Sequence, residues 1–332
     1  MTLPVKLRPD IERHARRRRR LRSLDFLPTM LTLGNLVCGF ATIHFALRAM
    51  YDLGAGLPGE FVAPTNLFRL ERVFPTFLSI GAGLILLGMV FDCFDGLVAR
   101  VTRSTTNFGG QLDSLADVVT FGVAPATLMV AFMTKELAGE SILPSPISEH
   151  FLGRAAWVSA AVYVSFTAVR LARFNVEHAI AGADYRSFKG MPSPGAACTV
   201  CALILFQDQS QWVSTRNILV YALPAISLTL AFLMVSRIPY RRFPRAYLLG
   251  RQPFGQFTIL ILGLAILGSY DKALTLLVVV LWYAISGPLF AIVRALRGQP
   301  ALAPKSDAPA IDDRTEAPGG ASDPSGGPRM QA

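Results

Sequence analysis

Charge is what this sequence has least of: 16% of its 332 residues are Asp, Glu, Lys or Arg, 52% are hydrophobic, and the mean hydropathy is +0.44. That scarcity excludes an ordinary soluble domain, in which about a quarter of the residues are charged. Cysteine is scarce too, and Cys38, Cys93, Cys198 and Cys201 all lie in or beside apolar segments. The Cys198-x-x-Cys201 pair has no second pair and no histidine nearby, which argues against a zinc site and leaves buried free thiols as the expectation. No small-residue cleavage pattern follows the basic N-terminal stretch, so the first apolar segment is expected to stay as a helix.

Long apolar runs are what the chain has instead. A bilayer core about 30 Å thick is crossed by roughly 20 residues of helix. By that yardstick the candidate spans are 27–49, 77–94, 115–133, 155–169, 195–206, 218–235, 257–267 and 274–293, the fifth and seventh being short. An all-α polytopic membrane protein of about eight helices is the expected fold class.

Basic residues are grouped where such a protein needs them. Arg16 to Arg20 form an unbroken arginine run ahead of the first span, with Lys6, Arg8, Arg13 and Arg22 beside it. Nucleic acid is one partner for such a run, but positive residues that stay cytoplasmic against anionic head groups account for it more simply. The alternate loops agree in sign. Those holding Arg100 and Arg103, then Arg170, Arg173, Arg186 and Lys189, then Arg237, Arg241, Arg242, Arg245 and Arg251, fall on the N-terminal side. The loops 134–153 and 207–217 between them are poor in basic residues. Both termini are therefore expected in the cytoplasm, with no nucleic-acid partner. The tail 298–332, rich in Pro, Gly, Ala, Ser and Asp, reads as disordered.

Acid is rarer still inside the spans, and it is concentrated. Asp92 and Asp95 close the second span, Asp113 and Asp117 open the third, and no other span has an acidic residue in its apolar run. Spacings of three and four put each pair on one helix face, so two neighbouring helices would aim four carboxylates at one cavity. Ionised, such a cluster repels itself unless it is protonated or holds a hard cation, and Mg²⁺ or Mn²⁺ prefers oxygen ligands of this kind. Ordinary helix-end aspartates are the plain alternative. Acid at membrane depth is usually functional, and Gly96, Gly109 and Gly110 remove side chains beside it, which permits close approach by a bulky ligand, although glycine is also common in packed membrane helices.

Asp92-x-x-Asp95-Gly96-x-x-Ala99-Arg100, eight residues, then Gly109-x-x-x-Asp113-x-x-x-Asp117 resembles, at every fixed position, the signature of the CDP-alcohol phosphatidyltransferase family. The resemblance implies a membrane-embedded helical enzyme, six helices at its core, that replaces the CMP of a CDP-linked lipid with an alcohol. It implies two divalent metal ions, Mg²⁺ or Mn²⁺, held by Asp92, Asp95 and Asp113, with Asp117 as general base and a further ligand. Thr32, Gly96, Ala99, Arg100, Arg103 and Gly109 would then surround the CDP-lipid, and a homodimer is implied as well. The chain divides accordingly into a basic segment 1–26, a catalytic membrane domain 27–236, further helices 237–297 and the tail.

Flanking stretches bear on the alcohol. "LPTMLTLGNLVCGF", "LDSLADVVTFGVAPA", "RLARFN" and "GMPSPGAA" resemble the membrane-bound phosphatidylserine synthases over roughly residues 27–197. That likeness implies CDP-diacylglycerol and L-serine as substrates, at the cytoplasmic face of a bacterial inner membrane. One position departs: Thr29 follows Pro28 where those enzymes usually have Asn, whereas Thr32, Asn35 and Gly39 keep their places. Asn35, Arg170 and Arg173 are the candidates for the acceptor or a phosphate, the two arginines standing about one helical turn apart. Ser193, between Pro192 and Pro194, has no histidine near to activate it and reads as part of a rigid turn. Other acceptors, such as glycerol phosphate, inositol phosphate or choline, suit the same signature. A cation transporter is the rival from another class, but it would place acid nearer mid-membrane between repeated halves, and the motif is not repeated.

Overall fold

The computed structural model describes residues 26–54, 74–102, 107–138, 143–181, 188–209, 213–236, 238–240 and 271–297. The order of elements is α1 (Phe26–Gly54), α2 (Phe77–Thr102), α3 (Asn107–Asp117), a π-helical segment (Val118–Val123), α4 (Ala124–Leu137), α5 (Phe151–Ala181), α6 (Ser193–Gln209), α7 (Val213–Val235) and α8 (Lys272–Leu296). Two strands of two residues, β1 (Phe188–Lys189) and β2 (Pro239–Tyr240), pair antiparallel between α5 and α8 in the chain. The protein is an all-α integral membrane protein. Among the described residues six runs are long and apolar enough to cross a bilayer: Leu27–Leu53, Phe77–Val98, Phe108–Leu137, Phe151–Glu177, Ile218–Val235 and Lys272–Leu296. Of the other two expected spans, α6 is a 17-residue helix and 257–267 lies outside the described residues. So do the arginine run, Arg103, the basic residues 241–251 and the tail.

Most helices run past the ends of their apolar stretches. α1 continues past the expected limit at residue 49 to Gly54, and Asp52, buried at its end, is ion-paired with Arg48 at 3.0 Å. α5 continues well beyond 169, through Arg170, Arg173 and Asn175, whose polar groups find partners on other helices. An apolar yardstick measures the part of a helix in hydrocarbon, not the whole helix.

Small residues let the helices approach closely where the site is built. A Cβ added at Gly39 would lie 2.6 Å from Thr120 Oγ1 and 2.8 Å from Thr120 Cα, so α1 crosses the π-helical segment there only with glycine. Close packing also carries hydrogen bonds between helices, such as Thr42 Oγ1 donating to Gly81 O at 3.0 Å. The outward faces are apolar, with Val37, Phe40, Leu47 and Phe232 each more than half exposed. In water such a surface would aggregate; in a bilayer it is the contact with lipid. Cys38, Cys198 and Cys201 are buried free thiols as expected, whereas Cys93 points outward.

The π-helical segment has an identifiable cause. Pro125 lacks an N–H, so Phe121 O, the acceptor a helix would assign to it, is left over. Tyr163 Oη, fully buried on α5, donates to that carbonyl at 3.2 Å. Without it, an unpaired carbonyl inside the membrane domain would cost about 1–3 kcal/mol. Ala124 N–H meanwhile bonds Val119 O, five residues back, which defines the wider turn.

Candidate active site

α2 and α3 bring the four aspartates together at one end of the bundle. One carboxylate oxygen from each of Asp92, Asp95 and Asp113 lies within 4.8 Å of the others. Asp117, one turn along α3, is buried, and the charges of Asp92, Asp113 and Asp95 all act on it. α1 supplies the donors that hold two of the four. Thr32 Oγ1 stands 3.0 Å from Asp95 Oδ2, and Asn35 Nδ2 donates to Asp117 Oδ1 at 3.1 Å. Asn35 is itself fixed by its backbone, since Thr120 Oγ1 donates to Asn35 O at 2.9 Å, and by Gly88, where a Cβ would come within 2.8 Å of Asn35 Oδ1.

These residues fit a hard divalent cation. Asp113 Oδ1 is buried with no hydrogen-bond partner, and three anionic oxygens converge beside it. A buried acceptor left without a donor is costly, and a cation ligated by oxygen supplies what is missing.

Arg170 and Arg173, placed side by side by sequence spacing, part company. Arg170 is near enough to Asp117 and Asp92 for their charges to act on it, and its Nη1 donates to Ser193 Oγ at 2.6 Å. Arg173 turns to Glu177, its Nε donating to Oε1 at 2.9 Å, while Nη1 lies 3.4 Å from Val235 O at the end of α7. Ser193 is the residue that sequence reasoning passed over as a turn. It is fully buried at the start of α6, where its Oγ accepts the hydrogen bond of the arginine. Gly190 makes that placement possible: at φ +84°, with Met234 O against its α-carbon, only glycine fits, and its N–H bonds Ile238 O at 2.8 Å. Asn175, another unforeseen member, donates from Nδ2 to Ser114 Oγ at 2.8 Å and so ties α5 to α3 between the acids.

The remaining candidates flank the centre. Gly96 follows Asp95 on α2 and Gly109 opens α3, both partly exposed. Ala99 and Arg100 belong to the last turns of α2.

A polytopic helical membrane enzyme with a carboxylate centre at one end of its bundle is the class that fold and site define. A family model described as CDP-alcohol phosphatidyltransferase matches residues 25–233, and the chain belongs to that family. It is similar to the CDP-diacylglycerol–serine O-phosphatidyltransferase of Helicobacter pylori, 30% identical over 190 residues that cover 54% of this chain and 72% of that one. Proteins of the same description from Methanocaldococcus jannaschii and Bacillus subtilis are 32% identical over 218 residues and 29% over 222. Those matches cover 65% and 67% of this chain, and 84% and 93% of the relatives.

Proposed function

We propose that the protein transfers a phosphatidyl group from CDP-diacylglycerol to L-serine, giving phosphatidylserine and CMP. The observation that carries the reading is that Arg170 and Asp117 act electrostatically on one another: a cation for a carboxylate and a base for a hydroxyl share one site, and serine bears both groups. The family membership and the names of the relatives support the same donor and acceptor.

In this reading Asp117 takes the proton of the serine hydroxyl. Asn35 holds Asp117 Oδ1, and Oδ2 would take the proton. The serine oxygen forms a bond to the lipid-linked phosphorus, and the bond from that phosphorus to CMP breaks, CMP leaving with the electron pair. No covalent enzyme intermediate is required. Asp92, Asp95 and Asp113, with Asp117, would hold two divalent ions, Mg²⁺ or Mn²⁺, which when bound offset negative charge on the phosphate oxygens. By the family resemblance Gly96, Ala99 and Gly109 would leave room for the nucleotide, and Arg100 and Arg103 would meet its phosphates. Arg173, paired with Glu177, is the second cation for the acceptor carboxylate or a phosphate in this reading.

The positive-inside pattern supports a site and both termini in the cytoplasm, in a bacterial inner membrane, where head groups of CDP-lipid and free serine are both within reach. The region 27–236 is then the catalytic domain, and the family resemblance extends the proposal to a homodimer. Membranes containing the protein, given CDP-diacylglycerol, labelled serine and Mn²⁺ or Mg²⁺, are expected to form labelled phosphatidylserine that disappears with a chelator or with Asp117→Asn. A loss of about 10²–10⁴-fold is the range for removing a general base. CMP release that depends on another alcohol instead would remove the serine assignment, and no CMP with any acceptor would remove the reaction.

A further inference from the structure

The family match ends at residue 233, so α8 lies outside it. This helix nevertheless packs on protein along one face. Ala273, Leu277, Val280, Ala284 and Gly287 form a buried stripe at helical spacing, and Trp282, Ile285 and Leu289 are exposed. Two tyrosines join the stripe to the site. Tyr240 of β2 donates from Oη to Ala284 O at 2.9 Å, and its ring lies against Gly287, where a Cβ would collide with it. Tyr283 reaches the start of α6: a Cβ at Gly195 would lie 2.9 Å from Tyr283 Cε1. Its phenol is also within electrostatic reach of Arg170. The guanidinium is thus hydrogen-bonded to Ser193, two residues before the Gly195 that Tyr283 packs on, and the charges of Asp117 and Asp92 act on it as well.

We propose that Tyr283 is a positioning residue that sets specificity for the acceptor. By fixing the start of α6 and standing beside Arg170, it holds the guanidinium ready for the carboxylate of serine. A long side chain held in advance loses less freedom when it binds, so the gain falls on acceptor affinity and not on the chemical step. The inference rests on the serine reading and deepens it.

The full chain, purified in detergent, would be assayed as wild type, Tyr283→Leu, Tyr283→Phe and Gly195→Ala, recording KM for serine, KM for CDP-diacylglycerol and kcat. L-Alanine, which keeps the carboxylate and lacks the hydroxyl, serves as a competitive probe of acceptor binding. Tyr283→Leu and Gly195→Ala, which dislodge the ring from either side, are expected to raise KM for serine and Ki for alanine about tenfold. KM for the lipid and kcat should stay within about twofold, and Tyr283→Phe, which keeps the ring, should recover most of the serine affinity. A fall in kcat with KM for serine unchanged, or an equal rise in both KM values, overturns the proposal by reducing α8 to scaffold. Wild-type protein that transfers no serine overturns the acceptor reading, and this inference with it. Wild type that uses serine beside unaltered variants overturns only the inference.

Discussion

The two ends of the helix bundle treat acid in opposite ways. At one end Asp92, Asp95, Asp113 and Asp117 gather with one guanidinium, that of Arg170, acting on them among the described residues. At the other, about 20 Å away along α2, every buried aspartate has a partner. Asp52 pairs with Arg48 at 3.0 Å, and Asp208 accepts from Thr76 Oγ1 at 2.9 Å with Lys135 Nζ at 3.8 Å. Both pairs are close to solved electrostatic problems; the cluster is an open one. A membrane protein neutralises the acid that serves its fold and leaves in surplus the acid that serves its chemistry.

Substitutions at the two ends should separate these roles. The largest effect is expected from Asp113→Asn, which removes the carboxylate with the unpartnered buried oxygen. CMP release should fall by a hundredfold or more, in line with several kcal/mol of lost charge stabilisation, on the order of 3 kcal/mol. The melting temperature in chelator should meanwhile rise, because one like charge has gone from the cluster. A lower melting point in chelator would mean that the acids are already neutralised within the fold. Asp208→Ala reverses the pattern: Thr76 and Lys135 lose their acceptor, stability should fall by about 1–3 kcal/mol, and CMP release per folded molecule should hold. Thermal unfolding beside the activity assay tests both halves of that statement. Asp52→Asn is the smallest case. Its partner Arg48 is 48% exposed, so the pair contributes under about 1 kcal/mol, and a shift of a few degrees at most is expected.

The acid end was legible in the sequence because helical spacing alone aligns Asp92 with Asp95 and Asp113 with Asp117, and their setting in apolar runs marks them out. The membrane helices were legible for the same reason, although their ends were not, since polar turns such as Arg170 to Asn175 are held by partners on other helices. The pairing of Arg173 with Glu177 follows the local i,i+4 spacing, but the turning of Arg170 to Ser193 lies beyond any local pattern. It depends on a partner distant in sequence. Tyr163 beneath Phe121 and Tyr283 beside Gly195 are legible only once the helices are packed, because a tyrosine in an apolar run looks like any other lipid-facing or core residue.

The wider turn at Val118–Val123 also sets angular phase. It holds one residue more than an α-helical path would, so the acidic face of α3 and the core face of α4 are offset by about 100° from a single continuous helix. Losing one residue there would turn α3 relative to α4 and swing Asp113 and Asp117 away from Asp92 and Asp95. A deletion of one residue there would thus dismantle the site along with the contacts of Thr120 and Phe121 that hold the segment in place.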